Sequence, residues 1–239
     1  VDHLDLERFG ADVAYTLDGD GVDRLNVETF NAVEAVVTFH GVGVHPGYAK
    51  GVMVNATRMA ATFVAALPVD EAPETTAERV GYLHPYIVSG TTGHAEVRVR
   101  LRDFDDEGMA RKRAFVERAA AEVAARHPAA RVDVAFRESY RNMLRYIEAK
   151  DPRVVALAVE AARAMGFELL LEPVRGGTDG ARLSEKGVPT PNVFTGGHDF
   201  HSRFEWNTAQ NLERALEYAR VLVRTWGEHG LRAEGDARG

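Results

Sequence analysis

The chain has 239 residues, 45% of them hydrophobic and 27% charged, with a formal net charge of −7. That length holds one large domain or two modest ones, and the acidic balance gives no reason to expect nucleic acid or an anionic membrane as a partner. Cysteine is absent, so disulfides, thiol catalysis and cysteine-ligated zinc are excluded, and any metal must be held by His, Asp or Glu.

The start, Val1-Asp-His-Leu-Asp-Leu-Glu-Arg8, has neither the basic nor the apolar region of a signal peptide, and it lacks an initiator Met, so Val1 does not read as the natural start. No apolar run approaches the roughly 18 residues that span a bilayer, and the cytoplasm is the expected location. Residues 12–17 read as a short buried strand ending at Asp18-Gly19. The β-branched run from Phe30 to His40 reads as a second strand. A helix is expected to open at Pro46 and to run through Met53, Met59 and Phe63 to Leu67. After an acidic connection, Pro68 to Glu78, come two strands, Tyr82 to Ser89 and His94 to Arg102. The second alternates Val97, Val99 and Leu101 with Arg98, Arg100 and Arg102. Asp105 or Asp106 caps a helix from Met109 to Arg126, and Val132 to Phe136 is another strand. Residues 30–140 thus read β-α-β-β-α-β, the pattern of a ferredoxin-like sandwich.

Beyond Tyr140 the pattern changes to short strands alternating with helices. The helices are expected from Asp151-Pro152 to Met165, from Asp179 to Lys186 and from Thr208 to Glu228. The strands are Leu169 to Glu172 and Pro191 to Phe194. Such alternation implies α/β layers around a mostly parallel sheet. The expected fold is therefore an α/β domain, residues 1–27 and 141–229, interrupted by an inserted βαββαβ unit at 28–140, with a tail at 230–239.

Two glycine-rich stretches concentrate chemistry: Arg175-Gly-Gly-Thr-Asp-Gly180 and Thr195-Gly-Gly-His-Asp-Phe-His201. Asp18, before a glycine at the end of a strand, reads either as a metal ligand or as a turn aspartate. His201 is either a metal ligand or a loop histidine, with His198 a rival and Glu205 a carboxylate able to orient the ring. Asp179 reads as an anion-site or N-cap residue, and Arg175 as a carboxylate binder or a surface ion pair. His45, at the expected helix start, suits an oxyanion contact or a plain turn. Arg102 ends the arginine-bearing strand.

These stretches, with Ala14-Tyr-Thr-Leu-Asp-Gly19, Phe30-Asn-Ala32, Val44 to Ala56 and Arg102-Asp-Phe-Asp105, resemble the di-zinc peptidase family that includes carboxypeptidase G, the aminoacylases and the bacterial dipeptidases. The likeness is to its tripeptide-aminopeptidase branch and covers about residues 10 to 228. It implies a catalytic α/β domain carrying two zinc ions, with a ferredoxin-like lid inserted in it. It implies Asp18 and His201 as zinc ligands, and His45 as the residue steadying the oxyanion or substrate carbonyl. Arg102, Arg175 and Asn142 become substrate binders. The implied partner is a small peptide, with a homodimer formed through the lid. The family's His-x-Asp pair, bridging aspartate and Glu-Glu pair, which includes the general base, belong before the Asp18 strand, and the 17 residues there contain no Glu-Glu pair. The chain therefore reads as a fragment, inactive alone. The alternatives are a dipeptidase or N-acyl-amino-acid amidohydrolase on the same scaffold, a catalytically dead binding or dimerisation module, and cobalt or manganese in place of zinc.

Overall fold

The computed structural model describes Val1 and residues 3–230. In chain order the first elements are helix α1 (Leu6–Phe9) and strands β1 (Thr16–Asp20), β2 (Arg24–Thr29) and β3 (Asn31–His40). Next come helix α2 (Ala56–Ala66), strands β4 (Tyr82–Gly90) and β5 (His94–Asp103), helix α3 (Asp106–Ala125) and strand β6 (Arg131–Tyr140). The last part holds helices α4 (Leu144–Lys150) and α5 (Arg153–Ala164), strand β7 (Leu170–Val174), helix α6 (Asp179–Glu185), strand β8 (Asn192–Gly197) and helix α7 (Ala209–His229). The chain divides into two compact units, Val1–Thr29 with Arg141–Gly239, and Phe30–Tyr140. Most of the expected tail, residues 231–239, lies outside the described residues. Among the described residues no helix is long and apolar enough to cross a membrane.

In the inserted unit the sheet order is β4-β5-β3-β6 with every pair antiparallel, which is the ferredoxin-like arrangement. Strand β3 pairs along its whole length with β5, from Asn31↔Asp103 to His40↔His94. Alternation does the rest. Val33, Ala35, Val37 and Phe39 on β3, with Val97, Val99 and Leu101 on β5, form one core with Met59, Ala60 and Phe63 of α2 and Val116, Ala119 and Val123 of α3. Each large apolar side chain so buried contributes about 1.5–3 kcal/mol. The arginine-bearing β5 is interior to the sheet, so the edges are β4 and β6. Arg98 and Arg100 therefore guard no edge.

The helix expected from Pro46 begins ten residues later. Pro46–Tyr48 forms one 3-10 turn, and Gly51 takes a φ of 76°. An antiparallel bridge between Val42 and Val54 then keeps the chain extended. The helix opens where Asn55 caps it, its side chain accepting from the Thr57 and Arg58 N–H groups. Proline sets the φ of a first turn but supplies no side-chain acceptor for the exposed amides.

The other unit has sheet order β1-β8-β2-β7, with β1/β8 and β2/β7 parallel and β2/β8 antiparallel. The strand expected at 12–17 begins at Thr16 and is largely exposed. The shift has a simple cause. Ala14 and Thr16 donate to the carbonyls of Pro189 and Pro191, and proline has no N–H with which to return the bond. A regular ladder starts only at Asn192. Helix α7 packs on α5 and β8, and Phe194, Tyr218 and Phe167 form an aromatic cluster, Phe194 and Tyr218 being 5.0 Å apart. The Tyr218 hydroxyl donates to the Ala158 carbonyl, the Tyr15 hydroxyl to that of Val154, and Trp226 Nε1 to Tyr15. Burial pushes both tyrosine hydroxyls well above the usual phenol range.

Before α5, Asp151 accepts from the Arg153 N–H at 3.0 Å and pairs with its guanidinium at 2.7 Å. The Arg153 hydrogen bonds hold the carboxyl below the usual aspartate range. A depressed pKa contributes stability above the unfolded value and loses it as pH falls through the folded one. Asp151→Asn is therefore expected to lower unfolding free energy near neutral pH by about 0.5–1 kcal/mol, the pair being partly solvated, and to flatten the acid limb below about pH 4. Urea titrations between pH 7 and pH 2 measure both.

Candidate metal and substrate cleft

Strands β1 and β8 run side by side and parallel, which brings the Asp18 segment beside the loop after Gly197. Ligands in open α/β sheets bind outside the carboxyl ends of parallel strands. A cleft of about 980 Å³ lies there, lined by Asp18, Arg175 and His201, and also by Glu172, His198 and Glu205. Asp18 sits within β1, not after it, at a break in register between Leu17↔Val193 and Gly19↔Phe194. Such bulges re-aim a side chain, and the Asp18 side chain is exposed.

The loop carrying His201 is closed by reciprocal backbone bonds between His198 and Trp206, and the two rings stack at 4.3 Å. Inside it Asp199 and His201 have φ of 55° and 64°, a left-handed conformation that L-residues adopt at a cost of about 1–2 kcal/mol each. The surroundings impose it. Glu205 accepts from the His201 backbone N–H at 2.9 Å, and Ser202 N–H donates to the Asp199 carbonyl. Glu205 thus fixes the His201 main chain, whereas the sequence had suggested that it orients the ring. The first of the two glycines is required by the backbone: Gly196 has a φ of 82°, and a Cβ there would stand 2.2 Å from the Cβ of Asn211, whose amide donates to the Gly196 carbonyl. The Thr195 hydroxyl donates to the Gly19 carbonyl and ties the loop to the Asp18 strand.

In the other glycine-rich stretch the cap of α6 is Thr178, which accepts from Ala181 N–H at 3.2 Å. Asp179 is the first helical residue, where its charge complements the helix dipole. Gly180 packs against the Thr190 carbonyl so closely that a Cβ would lie 2.3 Å away. These contacts fix the segment that carries Arg175 on the cleft wall.

Sequence reasoning missed the cleft floor. Asn192, almost fully buried, accepts from Thr16 and donates to Asn26, so one polar ladder crosses β1, β8 and β2. Arg24 bridges Glu172 at 3.0 Å and Asp20 at 3.6 Å. The one hint in the sequence was Asn192 at the head of the apolar pair Val193-Phe194, where a polar group needs a partner; Asn26 lies in the polar-interrupted stretch Arg24–Thr29. Asn142, expected to bind substrate, is buried and bonded on both sides. Its oxygen accepts from the Thr29 and Leu144 N–H groups, and its nitrogen donates to Glu28.

His45 and Arg102 belong to the inserted unit. His45 Nδ1 accepts from Gly47 N–H at 3.1 Å, so the neutral ring carries its proton on Nε2 and presents a donor outward. Arg102 donates from Nη1 to the Leu101 carbonyl at 2.9 Å and lies 5.7 Å from the Tyr140 ring. Burial raises the Tyr140 hydroxyl pKa, and the Arg102 charge opposes the rise. The other two arginines are engaged elsewhere, Arg98 with Glu96 and Arg100 over the Tyr86 ring.

Carboxylate and imidazole donors suit a divalent cation of intermediate softness. Their number does not close a site: among the described residues no three His, Cys, Asp or Glu side chains group so as to hold a metal ion. Asp18 and His201 fit as part of a ligand set, not the whole of one.

Residues 27–137 match the family model of the peptidase dimerisation domain. The chain is 42% identical over 214 residues to peptidase T of Shouchella clausii, covering 90% of this chain and 52% of that protein. It is 43% identical over 224 residues to peptidase T of Aeromonas hydrophila, covering 94% and 55%. The chain thus spans about half the length of the curated relatives it matches. Among solved structures it is similar to aminopeptidase PepT from Bacillus cereus, with a TM-score of 0.75, 23% identity and coverage of 95% of this chain and 60% of that one. A tripeptidase from Staphylococcus aureus gives 0.74 at 17% identity, covering 93% and 59%. A Bacillus subtilis protein described as a dinuclear metal binding peptidase of the M20 family gives 0.57 at 18%, covering 86% and 51%. These structural likenesses establish the fold.

Gly196→Ala is expected to destabilise this unit by about 2–4 kcal/mol, combining a left-handed alanine with overpacking against Asn211. It also shifts the emission of Trp206, read in a Trp226→Phe background. Thermal unfolding and fluorescence test the two effects; an unchanged spectrum would show that Gly196 does not set the loop.

Proposed function

The chain belongs to the peptidase T family, and on that premise we propose that the protein is a zinc-dependent aminopeptidase that releases the N-terminal residue of tripeptides. The observation that carries this reading is the convergence of Asp18, Arg175 and His201 on one cleft beside the β1/β8 pair. Asp18 and His201 hold cations there. Cations held there would supply Lewis-acid polarisation of a carbonyl and a lowered pKa for water. Arg175 takes the substrate's carboxylate side by charge-assisted hydrogen bonds. His45, with its outward Nε2–H, donates to the oxygen that gains negative charge in the transition state. Arg102, on the open face of the inserted sheet, binds the peptide's C-terminal carboxylate. The general base and the remaining cation ligands are assigned to residues outside this chain. Asn142 is given no substrate contact, because its amide is already bonded to Glu28, Thr29 and Leu144.

Self-association through the inserted unit is part of the proposal. It is supported by the dimerisation-domain match and by edge strand β4, where Ile87 and Val88 are exposed.

The reading is tested with a panel of tripeptides, dipeptides and N-acyl amino acids, assayed on protein made from the whole reading frame. Tripeptides are the expected preferred substrates; a preference for N-acyl amino acids would move the activity to the amidohydrolase class. Chelation is expected to abolish activity, and zinc, cobalt and manganese are compared for its return. Asp18→Ala and His201→Ala are expected to lower bound metal, measured by elemental analysis, and to reduce kcat by at least about a hundredfold. The 239-residue chain alone is expected to be inactive; tripeptide hydrolysis at the rate of the whole-frame protein would contradict the assignment of the general base elsewhere.

A further inference from the structure

The acidic connection before β4 and the second half of the Arg102-Asp-Phe-Asp105 motif have no part in the chemistry above. Both converge on one side chain, Lys112. It lies in the second turn of α3 with only 7% of its surface exposed. Its Nζ donates to Asp103 at 2.8 Å and pairs with Glu71 at 3.2 Å. Asp103 is itself buried, and its carboxylate is gripped on two further sides. A Cβ on Gly81 would stand 2.6 Å from Oδ2, and one on Gly108 would stand 2.2 Å from it. The connection is also held from within: the Thr75 hydroxyl donates to the Val69 and Ala72 carbonyls, and the Thr76 hydroxyl to that of Ala72.

Asp103 is the last residue of β5 and the immediate neighbour of Arg102. Consecutive strand residues point to opposite faces, so Asp103 is anchored on the helical side and Arg102 emerges on the open side. Asn31↔Asp103 and Tyr82↔Arg102 are the terminal pairs of their ladders, where a strand frays most easily. A buried carboxylate without its cation is strongly disfavoured, so Lys112 keeps this strand end in one place. We propose that Lys112, bridging Asp103 and Glu71, is a positioning residue that fixes Arg102 for the carboxylate of the peptide substrate. The inference rests on the carboxylate role of Arg102 proposed above.

The test uses metal-loaded protein from the whole reading frame and one tripeptide in two forms, free acid and C-terminal amide. Lys112→Gln and the milder Glu71→Ala are compared with the conservative Glu71→Gln. Thermal unfolding is measured in parallel, so that a loss of folding in Lys112→Gln leaves Glu71→Ala to decide. The expected result is a KM for the acid raised about tenfold in the first two variants, with little change for the amide or in kcat, and near wild-type values for Glu71→Gln. Equal changes for acid and amide, or none in folded protein, would reduce the triad to a stabilising element and overturn the proposal. Arg102→Ala separates the two claims. If it leaves the acid-to-amide ratio unchanged, the carboxylate role of Arg102 is wrong and the positioning role falls with it. If it alters the ratio while the Lys112 and Glu71 variants do not, the positioning role alone is wrong.

Discussion

The parallel pairing of β1 with β8 joins segments some 176 residues apart, Thr16 with Asn192, and brings the Asp18 strand beside the loop that carries His201. Closing so long a separation carries an entropic cost that grows slowly with length. The contacts that offset it are specific. The Asn26–Asn192–Thr16 ladder satisfies buried amides across three strands, and the Thr195 hydroxyl reaches the Gly19 carbonyl. A slip of one residue would turn Asn192 to the other face and leave those groups unpaired. The prolines at 189 and 191 confine regular pairing to the residues from Asn192 onward, which sets where the strand begins and so where Asp18 stands.

Rigidity is distributed unevenly around the candidate chemistry. The His201 loop holds two of the three non-glycine residues with positive φ among those described. It is kept so by Glu205, the His198–Trp206 bridge and the bare Cα of Gly196. Strained conformations persist where the surroundings over-determine them, and they gather at ligand sites. The inserted unit reaches the same end differently. Its arginine stands on a regular strand whose terminus is clamped by buried charge and by two glycines that let helix α3 and strand β4 close on Asp103.

Much of this is legible in the chain alone. The βαββαβ order, the alternation of Val97, Val99 and Leu101 with three arginines, and the capping of α3 by Asp105 arise from local periodicity and local hydrogen bonding. The pairing of Asp18 with His201 in one cleft was suggested by glycine-flanked motifs and by resemblance. Strand β2 and helix α4 were not anticipated, since the first lies in a short polar-interrupted stretch and the second lacks a side-chain N-cap bond. The delayed start of α2 turned on a competition between the first-turn preference of Pro46 and the cap at Asn55, and the Val42–Val54 bridge decided it.

The sequence by itself determined the residue types: an acid beside a glycine, a histidine after two glycines, an arginine ahead of two more, and no thiol anywhere. It also determined which segments alternate with period two and which are amphipathic, because those properties depend on neighbours in the chain. The tertiary structure decided what each polar group faces. It gave Glu205 to the His201 main chain, Asn142 to Glu28, the α6 cap to Thr178 and Lys112 to the buried Asp103 and the half-exposed Glu71. Those assignments join groups brought together only by packing, and a buried hydrogen-bonding group is satisfied by whatever the fold places within reach.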